Sequence, residues 1–91
     1  MPNGETQTSE EGKLIGEITH YFGKIEVAVI KLEDILKVGD TIKIVGGGVE
    51  FTQPVESMQI EHEQVQEAKA GESIGLKVAQ KVKEGYKVYK L

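Results

Sequence analysis

Glu67-Ala68-Lys69-Ala70-Gly71-Glu72-Ser73-Ile74-Gly75-Leu76-Lys77-Val78-Ala79 is the stretch from which the fold is read. From Ser73 onward, Ile74, Leu76 and Val78 alternate with Ser73, Gly75, Lys77 and Ala79, the period of a strand with one face in a core. Lys69-Ala70-Gly71-Glu72 ahead of it is turn chemistry. The same Lys-x-Gly-x-x-(Ile/Val) pattern recurs at Lys37-Val38-Gly39-Asp40-Thr41-Ile42 and at Lys83-Glu84-Gly85-Tyr86-Lys87-Val88. In each copy the glycine supplies a positive φ and the β-branched residue three places on falls inside the next strand. The glycines are 32 and then 14 residues apart, so the copies are repeated ramps into strands and not a solenoid period.

Working outward, Leu14 to Tyr21 and Ile25 to Leu32 read as two strands around a turn at Phe22-Gly23-Lys24. The run Ile25-Glu26-Val27-Ala28-Val29-Ile30 is apolar on both parities after its first residues, as expected of a strand covered on both faces. Thr41 to Val45 is a short strand ending at Gly46-Gly47-Gly48. Val49 to Ile60 resumes with Phe51, Val55 and Met58, and Pro54 marks an edge or a bulge within it. Tyr86 to Leu91 closes the chain. Glu61 to Ala70 has helix-favouring composition but an apolar face of little more than Val65 and Ala68, which reads as a loop with room for one helical turn. Residues 1–12, polar and acidic with nothing periodic to bury, read as a disordered tail. Residues 13–91 then form one all-β domain of six or seven strands.

Composition narrows the function classes. Ninety-one residues make one domain. Without cysteine there is no disulfide, thiolate ligand or thiol nucleophile. No apolar run reaches the ~18–20 residues of a membrane span, and the expected location is the cytoplasm. All eleven basic residues are lysines. Arginine, whose planar fork suits phosphate and base edges, is absent, which disfavours tight sequence-specific nucleic-acid reading. Gly46-Gly47-Gly48-Val49 lacks the Lys-(Ser/Thr) of a phosphate loop, so no nucleoside-triphosphate site is expected. His20 and His62 lie 42 residues apart with no metal-ligand spacing, and no serine has a readable His/Asp partner. The expectation is a non-enzyme without metal or cofactor.

Two of the ramps carry a resemblance. Ile35-Leu36-Lys37-Val38-Gly39-Asp40-Thr41-Ile42-Lys43-Ile44 and Glu67-Ala68-Lys69-Ala70-Gly71-Glu72-Ser73-Ile74-Gly75-Leu76 resemble paired motifs of domain 2 of elongation factor Tu. Val55-Glu56-Ser57-Met58 falls where that family places the strand between them. The resemblance runs from about Leu14 to Leu91 and implies a closed, antiparallel Greek-key barrel of six or seven strands. It implies a non-catalytic binding module, a stand-alone translation-factor-like domain touching RNA (tRNA or rRNA) or a translation-related protein. The GTPase domain that precedes such barrels has no counterpart in the sequence. Tyr86 departs from the acidic residue usual after the third glycine, so that turn is expected to lack its side-chain-to-backbone bond. Similar barrels end some collagenase-like peptidases, and the alternative reading is a protein-interaction module of that accessory kind.

By position, the region that holds the aminoacylated end of tRNA in the elongation factor matches Gln59 through His62 with Gly71, Glu72 and Ser73. Gly71 and Glu72 fit the motif, while Gln59, His62 and Ser73 differ in identity from the family's residues. The opposing, purely structural reading makes His62 an exposed loop residue and Ser73 a strand-opening hydroxyl. In the closing region Lys81, Lys83, Lys87 and Lys90 lie beside Tyr86 and Tyr89. Ammonium groups with aromatics could form a shallow RNA platform. The opposing reading is a solvated strand with tyrosines at the rim. A contiguous lysine face around the tyrosines favours RNA, and an exposed apolar patch favours a protein partner.

Overall fold

The computed structural model describes residues 12–91. The strands are β1 (Lys13–Phe22), β2 (Val27–Leu32), β3 (Leu36–Lys37), β4 (Thr41–Gly46), β5 (Val49–Pro54), β6 (Met58–Ile60), β7 (Glu63–Val65), β8 (Glu67–Ala68), β9 (Ser73–Lys77) and β10 (Lys87–Lys90). No helix occurs among the described residues. The expected tail lies outside them except for Gly12.

Alternation places the core. Ala28, Ile30 and Leu32 of β2 face Ile74 and Leu76 of β9, and all are buried with Ile42, Ile44 and Val88. In β1 both Ile15 and Ile18 are buried, three residues apart. Breaks in register between Leu14 and Gly16 and between Ile18 and His20 allow this, because a bulge resets which parity points inward.

The main sheet runs β5-β4-β10-β1-β2-β9-β6-β7, with β3-β8 as a separate pair. More strands form than the six or seven expected, because short pairings were not visible as sequence runs. Glu61 to Ala70, read as a loop with a helical turn, instead supplies β7 and β8. There the backbone finds partners in Met58–Ile60 and Leu36–Lys37 that no local propensity encodes. No ladder joins β5 to β7, so strand pairing does not carry the expected closure of the barrel to completion.

Near this open seam a side chain takes the place of a strand. Gln53 Nε2 donates to the Lys77 carbonyl at 2.8 Å, and Gln53 Oε1 accepts from the Ala79 amide at 2.7 Å. Gln53→Ala should lower stability by about 1–2 kcal/mol while leaving the domain folded, since two exposed hydrogen bonds are lost. Urea unfolding measures it, and an unchanged midpoint would show that the link carries no stability.

The three ramps share one device. Lys37, Lys69 and Lys83 carbonyls accept from Asp40, Glu72 and Tyr86 amides, and Gly39, Gly71 and Gly85 sit at φ of 102°, 92° and 94°. Each glycine N–H donates to a core residue elsewhere in the chain, and that residue's N–H donates to the carbonyl following the glycine. The gripped residues are Val55 for Gly39 and Asp40, Leu32 for Gly71 and Glu72, and Ile18 for Gly85 and Tyr86, at 2.8–2.9 Å. The first two turns add a carboxylate brace: the Lys37 amide donates to Asp40 Oδ2 at 2.9 Å, and the Lys69 amide to Glu72 Oε1 at 2.8 Å. The third ramp shows no such brace, as Tyr86 predicts.

Candidate functional site

The hairpin between β1 and β2 is wider than the sequence suggests. Phe22 pairs with Val27, so Gly23, Lys24, Ile25 and Glu26 form the loop. Ile25 is therefore not a strand residue; it is 60% exposed, beside Phe22 at 46%. Val27 and Val29, on the outward parity of β2, are only half-buried. The double-sided apolar run expected to be covered on both faces leaves one face open among the described residues.

That face is one wall of a groove of about 260 Å³. Across it the register sets Val29 beside Gly75 and Gly75 beside Gln59. Gly75 has no side chain, so the floor is low between Val29 and Gln59. Glu61, His62 and Ser73 complete the polar side, while Phe22 and Ile25 form the apolar rim. The fold thus brings together Gln59, His62 and Ser73, three of the positions singled out from sequence. Phe22, Ile25, Val27 and Val29 were not singled out, although the two-parity apolar run was their signal.

Backbone strain gathers here. Glu61 (φ 52°) and His62 (φ 72°) form the two-residue loop between β6 and β7, and Glu26 (φ 59°) lies between Ile25 and Val27. These are the non-glycine residues of positive φ among those described. The β4–β5 hairpin makes the same kind of two-residue loop with Gly47 (φ 52°) and Gly48 (φ 84°), where it costs little. Replacing Glu61 by Asn together with His62 by Gly should raise stability by about 1–2 kcal/mol, because left-handed backbone is disfavoured for side chains with a Cβ. Thermal unfolding checks this, and a loss of stability would mean that Glu61 or His62 makes a compensating contact.

The remaining predicted residues serve elsewhere. Gly71 and Glu72 are engaged in the second ramp, through Leu32 and the Lys69 amide. Tyr86 is half-buried and lies over Gly46 and Gly47; a Cβ on Gly46 would stand 2.4 Å from its ring. Gly46-Gly47-Gly48, where the sequence ends a strand, therefore also provides the surface on which Tyr86 packs. Tyr89 is half-buried beside Lys43 and Glu50. Lys83 is exposed.

Three lysines of this face are paired with acids. Lys87 Nζ pairs with Glu17 at 3.0 Å, Lys43 with Glu50 at 3.0 Å, and Lys90 with Asp40 at 4.0 Å. Lys13 pairs with Asp34; that bond and the Ile35 amide hold the Asp34 carboxyl below its ordinary range. These pairs are worth little in stability, but they cancel much of the positive potential that an RNA platform needs. His20 Nδ1 lies 3.4 Å from Glu84 and its ring meets Phe22 edge-on, away from His62. Among the described residues no three His, Asp or Glu groups are placed to hold a metal ion. No helix of theirs is long and apolar enough to cross a membrane.

A second cavity, of about 360 Å³, lies at the seam and is lined by Glu26, Gln53, Pro54, Glu56, Lys77, Val78 and Ala79. Its polar backbone groups at Lys77 and Ala79 are the ones bonded to Gln53.

Comparison with known proteins bears on what such a domain does. The chain is 46% identical over 80 residues to an uncharacterized protease of Methanocaldococcus jannaschii, a match covering 85% of this chain and 19% of that protein. Two crystal structures of the C-terminal domain of a Geobacillus thermoleovorans protein assigned to the U32 peptidases share its fold. The selenomethionine variant superposes with a TM-score of 0.82 at 18% identity, covering 86% of this chain and 99% of that one. The other gives 0.81 at 18% identity, covering 87% and 92%. No protein-family model matches the chain.

These matches overturn the reading of the chain as a translation-factor domain like that of elongation factor Tu. The physical reason lies in the ramps. In the two ramps that carry the resemblance, the glycine, the acid after it and the β-branched residue build a braced turn that grips a core residue, so the motifs report a way of joining strands. They carry no information about a ligand.

Proposed function

We propose that this chain is a non-catalytic protein-interaction domain of the kind that ends a peptidase chain. The observation carrying this reading is the 46% identity to a stretch amounting to 19% of the archaeal protease. On this reading, peptide-bond chemistry belongs to the part of such a protein outside the matching stretch. The likeness in fold to a peptidase C-terminal domain supports it. The partner is a protein rather than RNA: beside Tyr86 and Tyr89, Lys87 and Lys90 are paired with acids, and the exposed apolar groups Phe22 and Ile25 rim a groove.

The test separates catalysis from accessory function. The purified domain should release no fluorophore from labelled casein or gelatin. Peptide hydrolysis by the archaeal relative should survive deletion of the stretch matching this chain. Hydrolysis by the isolated domain, lost on substitution of one of its own residues, would overturn the reading. Salt-sensitive binding of tRNA or rRNA fragments would move the partner to RNA.

A further inference from the structure

We infer that the edge formed by Lys77 at the end of β9 and by Ala79 just beyond it is a peptide-recognition edge, occupied in the free domain by the side chain of Gln53. On the interaction-domain reading, on which this rests, it is where an extended segment of a partner protein joins the sheet.

In an extended strand the carbonyl of one residue and the amide of the residue two places on project from the same edge. Lys77 C=O, at the end of β9, and Ala79 N–H, two residues on, match that arrangement, since both reach the one side chain of Gln53. A neighbouring strand would meet them with the N–H and C=O of its own backbone. Gln53 meets them with the side-chain version of the same groups: its NH₂ donates to Lys77 O at 2.8 Å and its carbonyl accepts from Ala79 N at 2.7 Å. The chemistry of the occupant is thus displayed by the protein itself.

Three further observations fit. β6 pairs with β9 at Gly75 alone, so that ladder stops short of Lys77 and Ala79. β5 ends at Pro54, which has no N–H to extend a ladder toward them. The cavity of about 360 Å³ beside Gln53 offers room for backbone. From the opposite side Val78 N–H donates to Glu26 O at 2.9 Å, which holds the strand in place if Gln53 swings away. The ligand class is an extended polypeptide segment recognised through its backbone, as in strand addition to a sheet edge. Gln53 acts as an internal competitor that such a segment must displace.

The experiment is a nitrogen-15 NMR titration with the uncharged peptide acetyl-Thr-Val-Thr-Val-Thr-amide, on the wild type, Gln53→Ala and Gln53→Glu. Gln53→Ala vacates both groups, and the peptide should then shift the Ala79 amide and bind about tenfold more tightly than in the wild type, because competition by two hydrogen bonds is removed. Gln53→Glu keeps an acceptor for Ala79 but has no donor for Lys77 O, and should give a smaller gain. It also decides the matter should Gln53→Ala fail to fold. An unmoved Ala79 amide in a folded variant, or equal affinity for variant and wild type, would reduce Gln53 to a structural link and overturn the inference. Failure of that kind leaves the interaction-domain reading standing; that reading falls instead if the wild-type domain cleaves casein.

Discussion

Ile44→Ala should lower the unfolding free energy by about 3–4 kcal/mol, since removing a buried Ile side chain loses both its transfer energy and its packing. Ile44 is fully buried at the centre of β4, opposite Val88 of β10 on one side and Phe51 of β5 on the other. A domain this size has about 5–14 kcal/mol of stability in all. The variant should therefore melt at least about 12 °C lower. Circular dichroism melting and urea unfolding check it. A loss below about 1 kcal/mol would mean that the strands relax into the space, contrary to a close-packed core.

Gly16→Ala should cost about 2–3 kcal/mol, at the upper end of what overpacking usually costs. A Cβ at Gly16 would lie 2.7 Å from the Lys31 carbonyl oxygen and 2.9 Å from Ile30 Cγ2. The first of these is backbone within the β1–β2 ladder, where Gly16 pairs with Leu32, so it cannot turn aside as a long side chain would. Gly75→Ala is the matched control. Its Cβ would meet only Val27 Cγ1, at 3.4 Å, and stability should change by less than about 0.5 kcal/mol, as at an open strand position. If the two variants proved equally stable, close approach of β1 and β2 would not be the reason for glycine at position 16.

The strands seen in the sequence are those with a full alternating pattern. Of the run read from Ser73 to Ala79, Ser73 to Lys77 forms β9 with Ile74 and Leu76 inward, and Val78 is buried just beyond it, because period-two burial is a local signal. β3, β7 and β8 are two or three residues long and exist through their partners. Gln59, His62 and Ser73 were picked out by a resemblance that the protease match overturns, yet they do share a groove. Ser73 and Gln59 flank Gly75 on the paired strands β9 and β6, and His62 turns the hairpin that follows Gln59. Their apolar companions Phe22 and Ile25 escaped notice, because the width of the β1–β2 loop decides whether Ile25 is a strand residue or an exposed rim.

The stretch from Glu67 to Ala79 with its two sister ramps settled by itself that the chain is all-β and where its strands begin. A glycine at positive φ followed by a β-branched residue is a local conformational preference, and such preferences are written in consecutive residues. Tertiary structure alone decided what each ramp holds, how the lysines are neutralised, and that the seam is bridged by Gln53. Those depend on residues 7 to 70 positions apart, such as Lys43 with Glu50, Leu32 with Gly71, Glu17 with Lys87 and Gln53 with Ala79. Only the folded sheet brings such groups within hydrogen-bonding reach.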